Sequence, residues 1–535
     1  MHDSPRSTTL TCLALLSICL TTFSSCRSNA ASATSRRPPN ILLFLVDDMG
    51  VADCSLPFLF HFDEYGARGK AIEMANAGRY RTPVLERLAR GGMRFTSAHA
   101  STVCTPTRVS LMTGLQPARH HVTTWTHPES PRDTGNNEVQ RLKSPDWSMA
   151  GLEAGQPTLA ALLRGVGYRT LHVGKAHFGP NDSFGGDPRH LGFDVNVAGH
   201  GAGGPGSYLG RYDFSAAWRG GGRMWDVPGL ERYHGDDVFL TEALTREMGK
   251  AIDEALRSKQ PFFAYMAHYA VHAPFEVDER FAGNYPELHG ASKQKELAFA
   301  TMVEGMDRSL GDLLALLEAR GVAEETLVVF YSDNGSDGPA NLPLRGKKGT
   351  RFEGGCRVPL VIAWAKPDPQ HPMQRAISIE PNSLEDDMVG AEDVFATLAS
   401  IAGAKFAHQV DGHDLSPYLR GTPGVHRPQE RLVHFPHGHN DDHFTTYRQG
   451  AFKLIYQYGP RRWELYDLEH DLGEATNLLS SAPSRALQLA RTMRQRLEDC
   501  GAQMPVQVAT GAAEWPDTTA LEALLRPTET RPRAR

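Results

Sequence analysis

Unbroken apolar runs separate the polar stretches of this chain and predict its main strands. Residues 40–46 (Asn-Ile-Leu-Leu-Phe-Leu-Val) show almost no alternation of apolar and polar positions. This pattern is typical of a strand that is buried on both faces of a sheet. Three further apolar runs predict strands at 168–173, 262–268 and 327–331.

Helical spacing of apolar residues occurs between these runs, at 83–90, 158–164 and 295–320. Pro83 suits the first turn of the first helix, and Gly321 stops the third. Because strand-like and helix-like segments alternate, we expect an α/β fold. Its large domain would have a mixed, mostly parallel central sheet flanked by helices.

The pattern changes after about residue 425. Short strand-like segments and one helix follow, at 432–435, 444–448, 452–456, 462–468 and 484–500. They predict a smaller C-terminal domain with a short antiparallel sheet and a helix. The predicted boundaries are 40–425 for the large domain, 426–505 for this subdomain and 506–535 for a tail.

The N-terminus predicts an export signal at 1–26, followed by a polar linker at 27–39. Arg6 precedes an apolar run at 10–23, which is shorter than the ~20 residues of a membrane-spanning helix. Phe23-Ser-Ser-Cys26 resembles a bacterial lipoprotein cleavage box, with Cys26 as the lipidated residue. We therefore expect an exported protein that is periplasmic, extracellular or lipid-anchored at the bacterial envelope, with no other membrane contact.

Charge and cysteine content narrow the function classes. The 535 residues carry a formal net charge of −6, which gives no argument for a nucleic-acid partner. Three of the seven cysteines lie in the export signal, so a disulfide framework is not expected. Cys54 and Cys356 could pair or stay as buried free thiols, and the sequence leaves both open.

Carboxylates follow two of the predicted buried strands. Asp47-Asp48 come directly after the first strand, and Asp333-Asn334 follow the strand at 327–331. One interpretation is a turn with a helix N-cap. The other is a ligand site, because the carboxyl ends of strands in open α/β sheets bind ligands. Three carboxylates and one amide oxygen form a hard ligand set that suits Ca²⁺ or Mg²⁺ and not zinc.

Residues 104–108 (Cys-Thr-Pro-Thr-Arg) precede a helix-like stretch that ends in Thr113-Gly114. This Cys-x-Pro-x-Arg element resembles the signature of type I sulfatases, of the alkaline phosphatase superfamily. The resemblance implies that a formylglycine-generating maturation enzyme converts Cys104 into formylglycine, whose hydrate is the nucleophile. The alternatives are a buried thiol or a low-pKa thiolate for Cys104, and a surface ion pair for Arg108.

The element Gly174-Lys-Ala-His-Phe-Gly179 also resembles a motif of that family, with Phe178 in place of the common Leu. By this resemblance Lys175 would bind sulfate oxygens. His177 would be the base that removes a proton from the second hydroxyl of the hydrate. The alternative interpretation is an ordinary loop after a strand.

Two more elements supply the remaining predicted catalytic residues. His272-Ala-Pro-Phe275 resembles the family's His-x-Pro-aromatic element, so His272 would donate to the leaving alkoxide, with His268 as a competitor. The run 344–359 resembles Arg-Gly-x-Lys-Gly…Glu-Gly-Gly-x-Arg-Val-Pro. In that register Lys348 would bridge the sulfate and the ester oxygen, and Lys347 occupies a variable position.

The resemblance continues through 411–415, 453–455, 464–468 and 477–478, and so spans 39–478. It implies that Asp47, Asp48, Asp333 and Asn334, with the formylglycine from Cys104, hold Ca²⁺. Mg²⁺ is the alternative. The predicted activity is a sulfuric ester hydrolase of the arylsulfatase type, which forms a sulfated enzyme and then eliminates sulfate with the help of His177.

The substrate is less closely defined. Three features favour a sulfated carbohydrate over a small aryl ester: export, a Gly-rich stretch at 199–222 predicted as a surface excursion near the site, and histidines at 434, 437, 439 and 443. Those histidines fit a solvated loop better than a metal cluster. Aryl sulfates stay open as further substrates, because their good leaving groups need little acid assistance. Two other functions stay open: a phosphonate or phosphate ester hydrolase, and a non-catalytic glycan-binding protein in which Cys104 remains a thiol.

Overall fold

The computed structural model describes residues 37–62, 68–72, 74, 78–135, 141–339, 341–422, 425 and 427–525. The predicted export signal, with Cys26, lies outside the described residues, as does most of the linker. Every helix and strand below belongs to the compact unit Pro38–Arg535. Within the described residues, no helix combines the length and apolar character that crossing a membrane requires.

The strands have the following bounds: β1 Asn40–Val46, β2 Phe60–Phe62, β3 Arg68–Ala71, β4 Gly92–Phe95, β5 Leu142–Lys143, β6 Arg169–Gly174, β7 Val195–Val197, β8 Phe262–Ala267, β9 Thr326–Ser332, β10 Leu360–Trp364, β11 Ser383–Glu385, β12 Glu430–Phe435, β13 Phe444–Gln449, β14 Phe452–Gln457, β15 Arg462–Asp467 and β16 Val506–Gln507.

The α-helices have the following bounds: α1 Pro83–Arg90, α2 Cys104–Thr113, α3 Pro117–His120, α4 Leu159–Gly165, α5 Leu240–Arg257, α6 Glu279–Ala282, α7 Gln294–Ala319, α8 Glu353–Cys356, α9 Pro372–Ala376, α10 Ala391–Ile401, α11 Ser416–Leu419, α12 Pro483–Asp499 and α13 Thr519–Leu524. The predicted helices and strands end within two residues of these bounds, and α9 lies inside a Pro-rich stretch without a predicted element.

The central sheet has eight strands in the order β11-β4-β10-β9-β1-β8-β6-β7. The five strands from β9 to β7 are parallel to one another, and β10 is antiparallel to both of its neighbours. The prediction of a mixed, mostly parallel sheet is confirmed. Since parallel strands share one direction, their carboxyl ends meet at one edge of the sheet.

Strand β1 shows why the sheet is buried on both faces. Leu42, Phe44 and Val46 pack into a cluster with residues of α1, α5 and α7. The alternating residues Ile41, Leu43 and Leu45 pack into a second cluster with residues of α2, α4 and α10. An unbroken apolar run is therefore required, because successive side chains of a strand point to opposite faces.

The C-terminal sheet is antiparallel, in the order β12-β13-β14-β15, as predicted. Leu454, Tyr456 and Leu465 of this sheet share an apolar cluster with Leu489 and Met493 of α12. The division of the chain at residue 425 stays a prediction.

Two predictions about loops are wrong in part. The first part of the Gly-rich stretch, residues 201–208, is buried rather than a surface excursion, whereas residues 217–222 are exposed as predicted. His434, His437 and His443 are also buried rather than solvated. The protein can bury these rings because they have hydrogen-bond partners, such as Thr445 for His434.

The cysteine question is settled in favour of thiols. Cys54 and Cys356 are both free and buried.

Candidate active site

The predicted site residues come together at the carboxyl edge of the parallel strands. Asp47 and Asp48 follow β1, and Asp333 and Asn334 follow the adjacent strand β9. Lys175 follows β6, and its backbone N–H donates to Ala267 O at the end of β8 (2.7 Å). His272 lies on the loop after β8. Sheet order alone thus brings four distant parts of the sequence together.

Cys104 is the first residue of α2 and is only 4% exposed. Its Sγ lies 3.4 Å from His177 Nδ1. Burial raises the pKa of the Cys104 thiol, although the charges of Lys175 and Lys348 oppose this. A thiolate nucleophile of low pKa is therefore not what this environment favours.

Three buried carboxylates face one another at the centre of the site. Oxygens of Asp47, Asp48 and Asp333 lie within 4.8 Å of one another. Burial, and then the Asp333 carboxylate, raise the pKa of Asp47 well above its ordinary value. Asp47 Oδ1 and Asn334 Oδ1 have no hydrogen-bond partner among the described residues, although both are buried. Such unpartnered oxygens are costly unless a cation binds them, so this set fits a hard divalent cation.

Each carboxylate also has one cationic partner within 3 Å. Lys175 Nζ lies 2.6 Å from Asp47 Oδ2, and Lys348 Nζ lies 2.6 Å from Asp48 Oδ1. Arg108 Nη2 lies 2.8 Å from Asp333 Oδ2. Because three cations match three carboxylates, a divalent cation bound here would make the site positive. A positive, buried site suits an anionic substrate group.

Arg108 differs from Lys348 in its exposure and its contacts. Its side chain is fully buried, which excludes the surface ion pair considered above. Its Nη1 donates to Lys175 O at 2.7 Å. Arg108 therefore fixes Asp333 and the backbone of Lys175 in place, whereas Lys348 keeps 12% of its side chain exposed.

The two predicted catalytic histidines are neutral and hold different tautomers. His177 Nε2 lies 3.0 Å from Thr126 O, so Nε2 carries the proton and Nδ1 faces Cys104 as an acceptor. Burial, and then Lys175, lower the pKa of His177 well below its ordinary value. His177 Nδ1 is therefore placed to accept a proton from a group at the position of Cys104 Sγ.

His272 Nδ1 lies 2.6 Å from Ala273 O and therefore carries the proton. Its Nε2 faces Asp48 Oδ2 at 3.8 Å. Burial, and then Lys348, lower the pKa of His272 to about 3. His272 must accept a second proton at Nε2 before it can donate one from that atom.

The competitors named above lie elsewhere. His268 Nε2 lies 2.9 Å from Ser309 Oγ, and the ring is buried in the core. Lys347 turns outward to Asp337, where its side chain is 60% exposed. Only His272 and Lys348 of these two pairs therefore face the three carboxylates of the site.

Two glycines of the site are absent from the site residues predicted from the sequence. A Cβ on Gly203 would lie 2.4 Å from His177 Cε1, and a Cβ on Gly204 would lie 2.9 Å from His272 Cε1. Only glycine lets this backbone lie against both imidazoles. The run Gly201-Ala-Gly-Gly204 was the available signal, but its glycines gave no indication of which residues they contact.

Known proteins match most of the chain. The family model Sulfatase matches residues 39–404, and the model N-sulphoglucosamine sulphohydrolase, C-terminal, matches residues 347–503. A Formosa agariphila protein described as "Sulfatase" is 29% identical over 537 residues, which cover 88% of this chain and 90% of the relative. N-acetylgalactosamine-6-sulfatase of Mus musculus is 30% identical over 415 residues, which cover 74% of this chain and 69% of the relative.

Solved structures agree on the fold. The structure of Ps i-CgsB in complex with k-i-k-neocarrahexaose has a TM-score of 0.66 to this chain at 24% identity. The match covers 92% of this chain and 98% of that chain. The central sheet and the C-terminal sheet are thus shared with a known architecture.

Proposed function

Since this chain belongs to the sulfatase family and is a sulfatase, we propose that it releases sulfate from a sulfate ester with a nucleophile formed from Cys104. The observation that carries the proposal is the position of Cys104. Its Sγ lies beside His177 Nδ1, at the start of a buried helix, close to the charges of Asp47, Asp333 and two lysines. We propose that Cys104 is oxidised to formylglycine, whose hydrate supplies the attacking oxygen.

Calcium is the proposed metal, with Mg²⁺ as the alternative. Asp47, Asp48, Asp333 and Asn334 would hold it, together with the oxygen that replaces Cys104 Sγ. The unpartnered oxygens of Asp47 and Asn334 support this set. When bound, the ion would act as a Lewis acid that polarises a sulfate oxygen.

The chain's own residues divide the remaining work. Lys175 and Lys348 place positive charge near Cys104 and would bind the sulfate. Lys348, which is partly exposed, would also neutralise charge on the ester oxygen as the alcohol leaves. His177 Nδ1 would accept the proton of the hydroxyl formed at Cys104. His272, once protonated at Nε2, would donate to the departing alcohol.

We propose a sulfated carbohydrate as substrate. The printed name of the mouse relative, N-acetylgalactosamine-6-sulfatase, supports a sugar sulfate. The ring centroids of the half-buried Trp125 and of His439 are 6.0 Å apart. Burial, and then the charge of Lys348, lower the pKa of His439. Aromatic rings beside the sulfate site would suit a sugar. We also propose export directed by residues 1–26, with lipid on Cys26.

The test is mass spectrometry of the tryptic fragment that contains Cys104, combined with a sulfate-release assay. Protein made in its native host should carry the aldehyde, a mass loss of about 18 Da relative to cysteine. An aldehyde-selective alkoxyamine should label the wild type and leave Cys104→Ala unlabelled. Unmodified cysteine in protein that still releases sulfate would overturn the proposed nucleophile. Retained glycan binding without sulfate release would instead favour the non-catalytic alternative.

A further inference from the structure

The segment that carries Lys348 is held at its centre by the main domain. We call residues 345–353 the Lys348 segment. The backbone N–H of Lys348 donates to Ser336 O (3.0 Å), and that of Gly349 donates to Thr102 O (2.7 Å). The centre of the segment therefore lies against the two chain regions that contain Asn334 and Cys104.

Both ends of the Lys348 segment are attached to the C-terminal sheet and its loops instead. At one end, Arg345 Nη1 donates to Glu474 O (2.8 Å). At the other end, Arg351 Nη1 donates to Asp441 Oδ1 (2.5 Å). Phe352 is 7% exposed and packs with Ile455, Tyr466 and Leu468 of that sheet region.

A buried ion network completes the attachment. Lys453 Nζ, on β14, lies 2.9 Å from Glu353 Oε1 and 2.9 Å from Glu474 Oε1. Glu474 Oε2 accepts the backbone N–H of Glu353 (2.7 Å). The three side chains are at most 2% exposed. Removing the central cation would leave two carboxylates facing each other without solvent.

A metal site is the other interpretation of this cluster, because His99, Glu353 and Cys356 lie within ligand distance of one another. The surrounding charges oppose it. Glu353 already has Lys453 at 2.9 Å and Arg357 at 3.8 Å. Its Oε2 also lies 2.9 Å from His99 Nε2. With its carboxylate already engaged by cations, Glu353 is part of an ion network.

We infer that Lys453 is a positioning residue for Lys348, and that the C-terminal sheet acts on the active site through it. The inference rests on the proposed function of Lys348. Lys348 lies between the two attached ends of its segment, so a displacement of Glu353 would shift the ammonium that faces Asp48. A misplaced cation would stabilise the leaving alcohol less, and the loss should grow as the alcohol becomes a poorer leaving group.

The experiment compares Lys453→Met with Arg431→Met in the full-length protein. Arg431 is a matched control, because it is also a buried cation of the C-terminal sheet. It pairs with Glu392 of α10 at 2.7 Å, with both side chains 9% exposed. It also joins the C-terminal sheet to the main domain, and among the described residues it forms no ion pair or hydrogen bond with the Lys348 segment.

The first readout is kcat and KM for 4-nitrophenyl sulfate and for phenyl sulfate, whose alcohol is the poorer leaving group. Lys453→Met should lower kcat for phenyl sulfate by about tenfold to a hundredfold, and less for 4-nitrophenyl sulfate. Arg431→Met should affect both substrates equally. Lys453→Arg, which keeps the charge, should restore most of the rate. Equal ratios in the two methionine variants would overturn the inference.

The second readout is hydrogen–deuterium exchange of residues 344–352, which does not depend on any substrate. Exchange should become faster in Lys453→Met and stay unchanged in Arg431→Met. If Lys453→Met does not fold, Lys453→Gln, which keeps a hydrogen-bond donor, takes its place. If the wild type releases sulfate from neither aryl sulfate, the exchange data decide whether Lys453 holds the Lys348 segment, and unchanged exchange would overturn the inference. The proposed function is tested separately, by the mass and the alkoxyamine labelling of the Cys104 fragment.

Discussion

At the scale of single residues, the site is a set of matched charges. Asp47, Asp48 and Asp333 each have a cation within 2.8 Å. The pairing explains how three buried carboxylates can coexist in the fold. It also means that each cation has two roles, because it stabilises its carboxylate and prepares the site for an anion.

Lys348 provides the most direct test of this arrangement. Lys348→Met should lower kcat by about 10²-fold to 10³-fold, because a fixed charge at the leaving oxygen is lost. Lys347→Met is the control, since Lys347 binds Asp337 at the surface, and its rate should stay near wild type. The measurement is sulfate release under saturating aryl sulfate. Comparable losses in both variants would contradict the register of this motif.

His268 leads to a prediction about acid stability. Burial lowers its pKa to about 3 in the folded protein, whereas an unfolded chain has a value near 6.5. The fold therefore favours the neutral ring. Its contribution is complete above pH 6.5 and is lost as the pH falls from there towards 3.

Between pH 6.5 and pH 5 this single group should cost about 2 kcal/mol of unfolding free energy. His268→Gln keeps a partner for Ser309 and removes the titration. The difference in unfolding free energy between pH 7 and pH 5, measured in urea, should therefore shrink. The same change at the exposed His190 is the control. An unchanged difference in His268→Gln would show that the ring does not hold this pKa.

At the scale of elements, short irregular segments complete what the strands begin. The strands place Asp47, Lys175 and Asp333 at one edge. The buried stretch at 201–208 then covers the imidazoles of His177 and His272. Its glycines have a steric role, because any side chain at Gly203 would occupy the space of the His177 ring.

Gly203→Ala should therefore displace His177 and lower kcat by about 10²-fold, while KM changes little. Gly222→Ala is a control from the same Gly-rich stretch. Its added Cβ would meet no atom within 4 Å, so kcat should not change. Full activity in Gly203→Ala would mean that His177 tolerates another position.

At the scale of the whole molecule, the bound ion would join the ends of two adjacent central strands, β1 and β9. Calcium at a hundred times its dissociation constant should add about 2.7 kcal/mol of stability. Thermal unfolding with Ca²⁺ and with EDTA measures this difference. Asp47→Asn should lose the calcium-dependent part. A shift that persists in Asp47→Asn would place the ion elsewhere, and a larger shift with Mg²⁺ would favour that metal.

The sequence allowed most of the sheet and the charged residues of the site to be predicted. Buried strands show as apolar runs, and Asp47 and Asp333 follow such runs directly. Contacts between distant segments could not be predicted, because they depend on how the layers pack. Lys453 meets Glu353 across 100 residues, and no local pattern marks that pair.

The burial of His437 was unpredictable for a related reason. A histidine-rich stretch suggests a solvated loop when it is judged by composition alone. In the fold, His437 Nε2 lies 2.8 Å from Thr123 Oγ1 and its Nδ1 lies 3.0 Å from Ser144 Oγ. Both partners lie about 300 residues earlier in the chain, so only the tertiary structure reveals that this ring can be buried.

If Cys104 is converted as proposed, its burial also determines when conversion has to occur during biosynthesis. Cys104 is 4% exposed, and all ten residues of α2 are buried. A maturation enzyme that must bind the residues around Cys104 therefore has to act before this helix is enclosed. Conversion would no longer be possible once the chain has folded, so molecules that fold first would remain unconverted. Slower folding or slower export would then raise the converted fraction without any change in the active site.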